Sequence, residues 1–170
     1  MLTGNTIATI FLSMSLVSLA GGMLRIENFG IPTWLFIIFF ILFRIKMYLD
    51  DVLYFKDVDT KDWQFKYGFF FGIFSWFFWI ASAVHLAELD KAFLFVLIAF
   101  VLSTIWILIA GFAEKFKKQH KVWLLTNSLY ILFTLLTIAK LIKIHISAPI
   151  LLCICLVDLW KSGSFKALEE

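Results

Sequence analysis

Three observations predict an all-α polytopic integral membrane protein, with about six transmembrane helices arranged as three helical hairpins. Hydrophobic residues make up 62% of the chain, and its mean hydropathy is +0.96. Soluble domains contain roughly 45–50% apolar residues, so a soluble globule is excluded. Long apolar runs alternate with short charged connections along the 170 residues. This alternation is expected when each run has lipid as its solvent.

The apolar runs predict membrane spans within a single transmembrane domain over residues 1–170. A helix needs about 20 residues to cross a hydrocarbon core of about 30 Å. The second run has 13 residues before Arg44, and the sixth has Pro149 near its start, so both are short and a five-span or re-entrant arrangement is the alternative. The predicted spans are about 5–23, 32–49, 67–87, 92–113, 122–142 and 145–160.

The helices differ in composition. Thr6, Thr9 and Ser13 form a stripe on the first span, which predicts helix packing or pore lining because small hydroxylated residues let helices approach and hydrogen-bond. The run 69–79 consists mostly of Phe and Trp and is apolar on all sides, which predicts a lipid-facing or peripheral position. Trp76, Trp79 and Trp106 lie deeper in their spans and are expected to pack. The composition therefore separates polar helices from lipid-facing ones.

The distribution of basic residues predicts the orientation. With six spans, eleven Lys and Arg residues lie on the side of the two termini and four on the opposite side. The positive-inside rule then places both termini in the cytoplasm, in a bacterial-type inner membrane or a plasma membrane. The net charge of +3, with no basic patch interleaved with aromatic residues, indicates a lipid bilayer and no nucleic acid as partner.

The charged segment that follows the second apolar run is the most distinctive part of the sequence. Residues 44–66 hold five basic and five acidic residues, and we predict a charged cytoplasmic connection at 50–66. An Arg about one turn inside the membrane interface must reach the interface or meet an acid. If the second helix continues past Arg44, Tyr48 and Asp51 share its face.

Two further polar groups lie near the inner ends of the last two spans. Asn127 is near the inner end of the fifth, and Asp158 is near the inner end of the sixth, where Lys161 at i+3 can neutralise it. We predict a polar cluster in the cytoplasmic leaflet that lines a pore or vestibule. Its predicted members are Arg44, Tyr48, Asp51, Asn127 and Asp158.

The acidic residues suggest a catalytic alternative. Carboxylates such as Asp50, Asp51 and Asp57 are suitable ligands for Mg²⁺, which would hold the diphosphate of a lipid or isoprenoid substrate. The segment has zero net charge, and no nucleophile elbow, phosphate loop or His-Glu-x-x-His motif accompanies it. His85 and Glu88 stand at i, i+3, where an interfacial His with a capping acid is expected in preference to a metal site. We therefore expect no catalytic residue, metal or cofactor.

The leading functional hypothesis is a small oligomeric membrane protein that forms a channel, pore or transport path for an ion or small solute. The separation of hydroxyl-bearing from Phe-rich helices favours it, and a homo-oligomer is expected. One alternative is the Mg²⁺-dependent membrane enzyme. The other is a non-catalytic membrane subunit that docks a soluble protein partner at the cytoplasmic face through residues 50–66.

Overall fold

A computed structural model describes residues 4–57, 63–113 and 118–162. All secondary structure in these ranges is helical, and five of the six helices contain segments long and apolar enough to cross a membrane. The fold is therefore that of an all-α polytopic membrane protein, which confirms the predicted class. The helices are α1 (Gly4–Met23), α2 (Ile31–Asp57), α3 (Trp63–Val84), α4 (Leu89–Ala113), α5 (Lys118–Ile138) and α6 (Ile144–Ser162).

The two runs that are short in the sequence form sufficiently long helices. α2 is 27 residues long and does not break at Arg44. Its apolar segment, Ile31–Val52, has 22 residues, which corresponds to about 33 Å at 1.5 Å per residue. The corresponding segment of α6, Ile144–Lys161, has 18 residues. α3 has 22 residues, and the described part of its apolar segment is Phe69–Val84.

α5 ends four residues before the predicted limit of its span because the chain turns in a Schellman motif. Lys140 has a positive φ of 58°. The amide of Leu141 donates to the carbonyl of Leu136 at 2.9 Å, and the amide of Lys140 donates to that of Thr137 at 2.9 Å. These are the 6→1 and 5→2 bonds that close a helix through a left-handed residue, a position usually taken by Gly.

The six helices form a closed ring of packing neighbours in the order α1, α2, α6, α5, α4, α3 and back to α1. The three predicted hairpins are adjacent pairs in this ring, and α3 and α4 share the most extensive contact. Six successive helices place the start of α1 and the end of α6 at one end of the bundle. We call this the terminal end, and the other the loop end.

Aromatic side chains fill the centre of the ring. Phe36 of α2 contacts Phe93 of α4 with ring centroids 5.0 Å apart, so α2 reaches across to a helix that is not its neighbour in the ring. Phe100 of α4 and Tyr130 of α5 stack at 4.5 Å with an interplanar angle of 7°. Eight such side chains, each at most 2% exposed, form what we call the aromatic core: Phe36, Phe39, Phe40, Phe43, Trp79, Phe93, Phe100 and Tyr130.

Large apolar side chains also cover the outer surface of the ring. Val17, Phe112 and Trp160 are each more than two-thirds exposed. Such a surface is unfavourable in water but is the expected contact with acyl chains. Apolar residues thus occupy both the inside and the outside of the bundle.

The run 69–79 is only partly lipid-facing. Phe70, Phe74 and Phe77 are exposed, whereas Trp76 and Trp79 are buried. The prediction that this segment faces lipid therefore holds for its Phe face, and Trp76 and Trp79 pack inside the bundle, as expected for its deeper Trp residues. An apolar residue in a membrane protein packs equally well against lipid or protein, so its type alone does not distinguish the two faces.

A close approach of α1 to α3 depends on Gly22. A Cβ built at Gly22 would lie 2.1 Å from the carbonyl oxygen of Ala83, whereas one built at Gly21 meets nothing within 4 Å. Small residues permit such helix contacts in membranes because packing, and not a hydrophobic force, drives the association. Gly22 therefore determines how closely the loop ends of α1 and α3 meet.

We expect Gly22→Ala to lower the free energy of unfolding by about 1–3 kcal/mol, the usual cost of overpacking. Gly21→Ala is the matched control, and it should leave stability unchanged or raise it because Ala favours the helix. Thermal unfolding of both variants in nanodiscs, followed by circular dichroism, measures the difference. Equal melting temperatures would contradict the close contact.

Lys140→Gly should raise the free energy of unfolding by about 1 kcal/mol, because Gly adopts a positive φ without the steric cost of a Cβ. Lys143→Gly is the control, since positive φ among the described non-Gly residues occurs at Lys140 alone. The same thermal measurement applies. A gain from Lys143→Gly as large as that from Lys140→Gly would attribute the effect to the lost charge instead of the backbone.

Candidate functional site: a polar cleft at the terminal end

A buried lysine joins α2 to α6 near the terminal end. Lys46 Nζ lies 2.7 Å from Asp50 Oδ2 and 2.9 Å from Asp158 Oδ2, and all three side chains are at most 8% exposed. An ammonium group within a membrane protein is costly unless acids neutralise it, and Lys46 has two. Trp123 of α5 adds its ring, whose centroid is 5.8 Å from Nζ.

The partner of Asp158 lies on another helix, not on its own. The Lys161 ammonium lies 4.5 Å from the ring centroid of Trp160, whereas Asp158 pairs with Lys46. The hydroxyl of Thr126, which lies near Asp158, donates to carbonyl oxygens of its own helix. Within the described ranges, Asp158 Oδ1 has no hydrogen-bond partner. Asp158 therefore depends on Lys46 for its neutralisation.

Arg44 is buried, with 2% of its surface exposed. Its Nη1 donates to Met47 Sδ at 3.4 Å, and its Nε has no hydrogen-bond partner among the residues described. Asp51 lies two turns further along the same face of α2 and attracts this guanidinium. Among the described residues, Arg44 and Asp51 thus attract each other without a direct ion pair.

On the terminal-end side of the aromatic core lies a polar cleft between α2, α3, α4 and α5. It has a volume of about 50 Å³. One water molecule needs about 10–15 Å³ by this measure, so the cleft holds a few waters or one small molecule. From α2, the polar lining comes from Lys46, Asp50 and Asp51.

The opposite wall of the cleft combines hydroxyl and aromatic groups. Ser75 and Trp76 of α3 face Ser103 and Trp106 of α4. Ser75 Oγ donates its hydrogen to the carbonyl of Ala99 at 3.0 Å, which ties α3 to α4 and leaves only lone pairs on the Ser75 oxygen. This wall therefore offers an acceptor at Ser75, a hydroxyl group at Ser103 and the indole rings of Trp76 and Trp106.

Asn127 of α5 completes the cleft, and its orientation follows from the groups beside it. Thr104 Oγ1 gives its only hydrogen to the carbonyl of Phe100 at 2.8 Å, so this oxygen accepts from Asn127 Nδ2 at 3.4 Å. The amide nitrogen therefore faces Thr104, and Asn127 Oδ1 remains as an acceptor. Asn127 is 5% exposed.

The aromatic core closes the cleft toward the loop end. Phe43 lines the cleft and belongs to the core, where its ring contacts Trp79 at 4.8 Å and Phe100 at 5.0 Å. In the part of the chain that the structure describes, the cleft therefore ends on packed rings. A solute that enters it meets a closed floor.

The predicted polar cluster is divided by this arrangement. Asp51 and Asn127 line the cleft, and Asp158 lies behind Lys46. Arg44 and Tyr48 are on the same helix but outside the cleft lining. The predicted roles of all five remain hypotheses.

Residues of the predicted α1 stripe lie on the outside of the ring. Thr6, Thr9 and Ser13 are exposed, and the Ser13 hydroxyl donates to the carbonyl of Thr9 at 2.9 Å. Their role in helix packing or pore lining stays a prediction, because it would require contact with a second molecule.

The catalytic alternative receives no geometric support from the described residues. Asp50 is engaged by Lys46, and no group of three His, Cys, Asp or Glu side chains suited to a metal ion occurs there. Residues 58–62 lie outside the described part. In the predicted docking segment 50–66, the side chains from residue 53 onward, including Asp57, also lie outside it.

At the loop end, Glu88 forms a small surface ion cluster. Glu88 Oε2 lies 2.6 Å from Lys91 Nζ, and Glu88 Oε1 lies 3.6 Å from His85 Nδ1. The hydrogen bond from Lys91, followed by smaller contributions that include His85, lowers the pKa of Glu88 below its usual value. This is the expected interfacial His beside an acid.

Sequence reasoning did not assign Ser75, Ser103 or the Trp residues to a cleft. The depth of Trp76 and Trp106 in their spans predicts that they pack, but the many apolar positions around them give no sign of a cleft. Ser75 is a detectable exception, since it is a hydroxyl within the otherwise apolar run 69–79. A lone Ser among aromatic residues of a membrane helix indicates a face turned toward protein.

Comparison of the chain with protein-family models, curated proteins and solved structures found no match. The chemistry and placement of the cleft therefore have to indicate its function.

We expect Lys46→Met to lower the free energy of unfolding by about 3–5 kcal/mol, because it leaves two buried acids without their cation. Lys161→Met is the control and should cost less than about 0.5 kcal/mol, as is usual for an exposed position. Thermal unfolding in nanodiscs measures both. A larger effect of Lys161→Met would show that the i, i+3 pair, and not the α2–α6 pair, neutralises Asp158.

Proposed function

We propose that this protein is a carrier-type membrane transport protein that binds a small solute in the polar cleft. The observation that carries the proposal is the cleft itself, in which charged and hydrogen-bonding side chains from four helices converge within about 50 Å³. Polar and ionisable groups inside a membrane bundle are costly, and they commonly mark solute or ion pathways. The residues we assign to solute binding are Asp51, Ser75 and Asn127.

The aromatic core favours a carrier over an open channel. A channel requires a continuous polar path, whereas the described residues place eight nearly fully buried rings between the cleft and the loop end. Transport would therefore require the helices to move after the solute has bound, as in alternating access. Since basic residues cluster on the terminal-end side, we propose that the cleft faces the cytoplasm.

Flux through reconstituted vesicles tests the function. Purified protein in proteoliposomes is offered four labelled probes separately: ethylammonium, acetate, rubidium and glycerol. We expect at least one to enter faster than into protein-free vesicles, with a rate that saturates as its concentration rises. Saturation is expected of a carrier because each turnover is limited by a bound state.

A matched pair of variants links the flux to the cleft. Asn127→Leu fills the cleft wall with an apolar group and should abolish the flux, whereas Ser128→Leu changes the exposed neighbour and should preserve it. Circular dichroism confirms that both are folded. Background flux for every probe, or full flux in Asn127→Leu, would refute the proposed transport function.

A further inference from the structure

We propose that the cleft selects a small alkylammonium ion, of the size of methylammonium or ethylammonium. The inference rests on the proposed function, since it specifies the solute of the same cleft. Three properties of the cleft support it: Ser75 and Asn127 offer hydrogen-bond acceptors, the described charges around it have a formal negative sum, and much of its remaining surface is aromatic.

Two neutral polar side chains of the lining, Ser75 and Asn127, present acceptors to the cleft. Ser75 Oγ donates its hydrogen to Ala99, and Asn127 Nδ2 donates one hydrogen to Thr104, whose own hydrogen goes to Phe100. The Ser75 lone pairs and Asn127 Oδ1 therefore remain as acceptors in the same cleft as the Asp51 carboxylate. The three N–H groups of a primary ammonium ion match these three acceptors.

The charged groups leave a negative excess. Lys46 is matched by Asp50 and Asp158 on either side, so its ammonium is unavailable to an anion. Asp51 lines the same cleft, and Arg44 on its helical face lies outside the lining. Among the described side chains of this region, two basic and three acidic groups thus occur, and a monovalent cation in the cleft would balance their formal charges.

The aromatic lining distinguishes an organic cation from a metal ion. Trp76, Trp106 and Trp123, together with Phe43 and Phe69, contribute to the cleft surface. Ring faces attract cations and also pack against methyl and methylene groups, so they favour a partly apolar ammonium over a strongly hydrated inorganic ion. A volume of about 50 Å³ restricts the ligand to a few heavy atoms.

Equilibrium binding to the intact protein tests the inference independently of transport. Ethylammonium chloride is titrated into protein in nanodiscs and followed by calorimetry. Potassium chloride, tetramethylammonium chloride, sodium acetate and ethanol are the comparison ligands at equal ionic strength. We expect ethylammonium to bind most tightly and potassium to compete with it only weakly. Stronger binding of acetate or ethanol, or equal competition by potassium, would overturn the inference.

Variants assign the binding to the cleft. Asp51→Asn should weaken ethylammonium binding by about tenfold or more, because it removes a charge-assisted hydrogen bond, and Asp51→Glu should largely preserve it. Asp90→Asn removes an exposed acid of α4 at the loop end and should change nothing. Ser75→Ala provides a second cleft variant if Asp51→Asn does not fold, with an expected weakening of about threefold or more.

The binding and flux results separate the two proposals. Ethylammonium binding that requires Asp51, without flux of any probe, would support the ligand and refute the carrier. Flux of acetate or glycerol that requires Asn127, without ethylammonium binding, would support the carrier and refute the ligand. Equal binding by Asp51→Asn and Asp90→Asn would remove the cleft from the binding event and overturn the inference.

Discussion

The neutralisation of the Lys46 ammonium is the constraint on which the terminal end depends. A charge at this depth needs compensating acids, and these come from α2 itself and from α6. Asp50 is at i+4 on the same helix as Lys46, so this pair can form in any arrangement of the helices and does not select one. Asp158 can, since its pairing requires α6 to lie against α2 in one rotation and at one height. The Lys46–Asp158 ion pair therefore fixes the register of α6 against α2.

The aromatic core fills the central space of the six-helix ring, where the described residues place no ion pair. Ridges of one helix fit grooves of its neighbour in a two-helix contact, but a ring of six leaves central space that neighbour contacts do not fill. The Phe residues of α2 fill it by reaching α4 and α5, as in the Phe36–Phe93 and Phe39–Tyr130 contacts. Because rings are large and rigid, they pack densely at low entropic cost. The same packing separates the cleft from the loop end, so one feature serves both stability and the proposed closure.

The sequence predicts where the helices are but not which helices pack against each other. Apolar runs near the length of a bilayer crossing predict an all-helical membrane protein, and the structure agrees. The i, i+3, i+4 rule identifies Asp50 as a partner of Lys46, but it pairs Asp158 with the local Lys161 when the tertiary partner is Lys46. Local rules compare residues on one helix, whereas the order of helices around the ring depends on side-chain shapes across the whole bundle. The place of the Trp residues in a cleft escapes prediction for the same reason.

The acceptor character of the cleft follows from a general property of hydroxyl groups in helices. Thr104, Thr134 and Ser128 each donate to the carbonyl four residues earlier, so each hydroxyl becomes an acceptor for its surroundings. In lipid, no water competes for that hydrogen, and the internal bond satisfies the donor. A polar cleft between membrane helices is therefore rich in acceptors unless Lys, Arg or amide nitrogens supply donors. Here the Lys46 ammonium is held by carboxylates and one hydrogen of the Asn127 amide by Thr104, so Asn127 Oδ1 and the Ser75 oxygen are acceptors that a ligand can use.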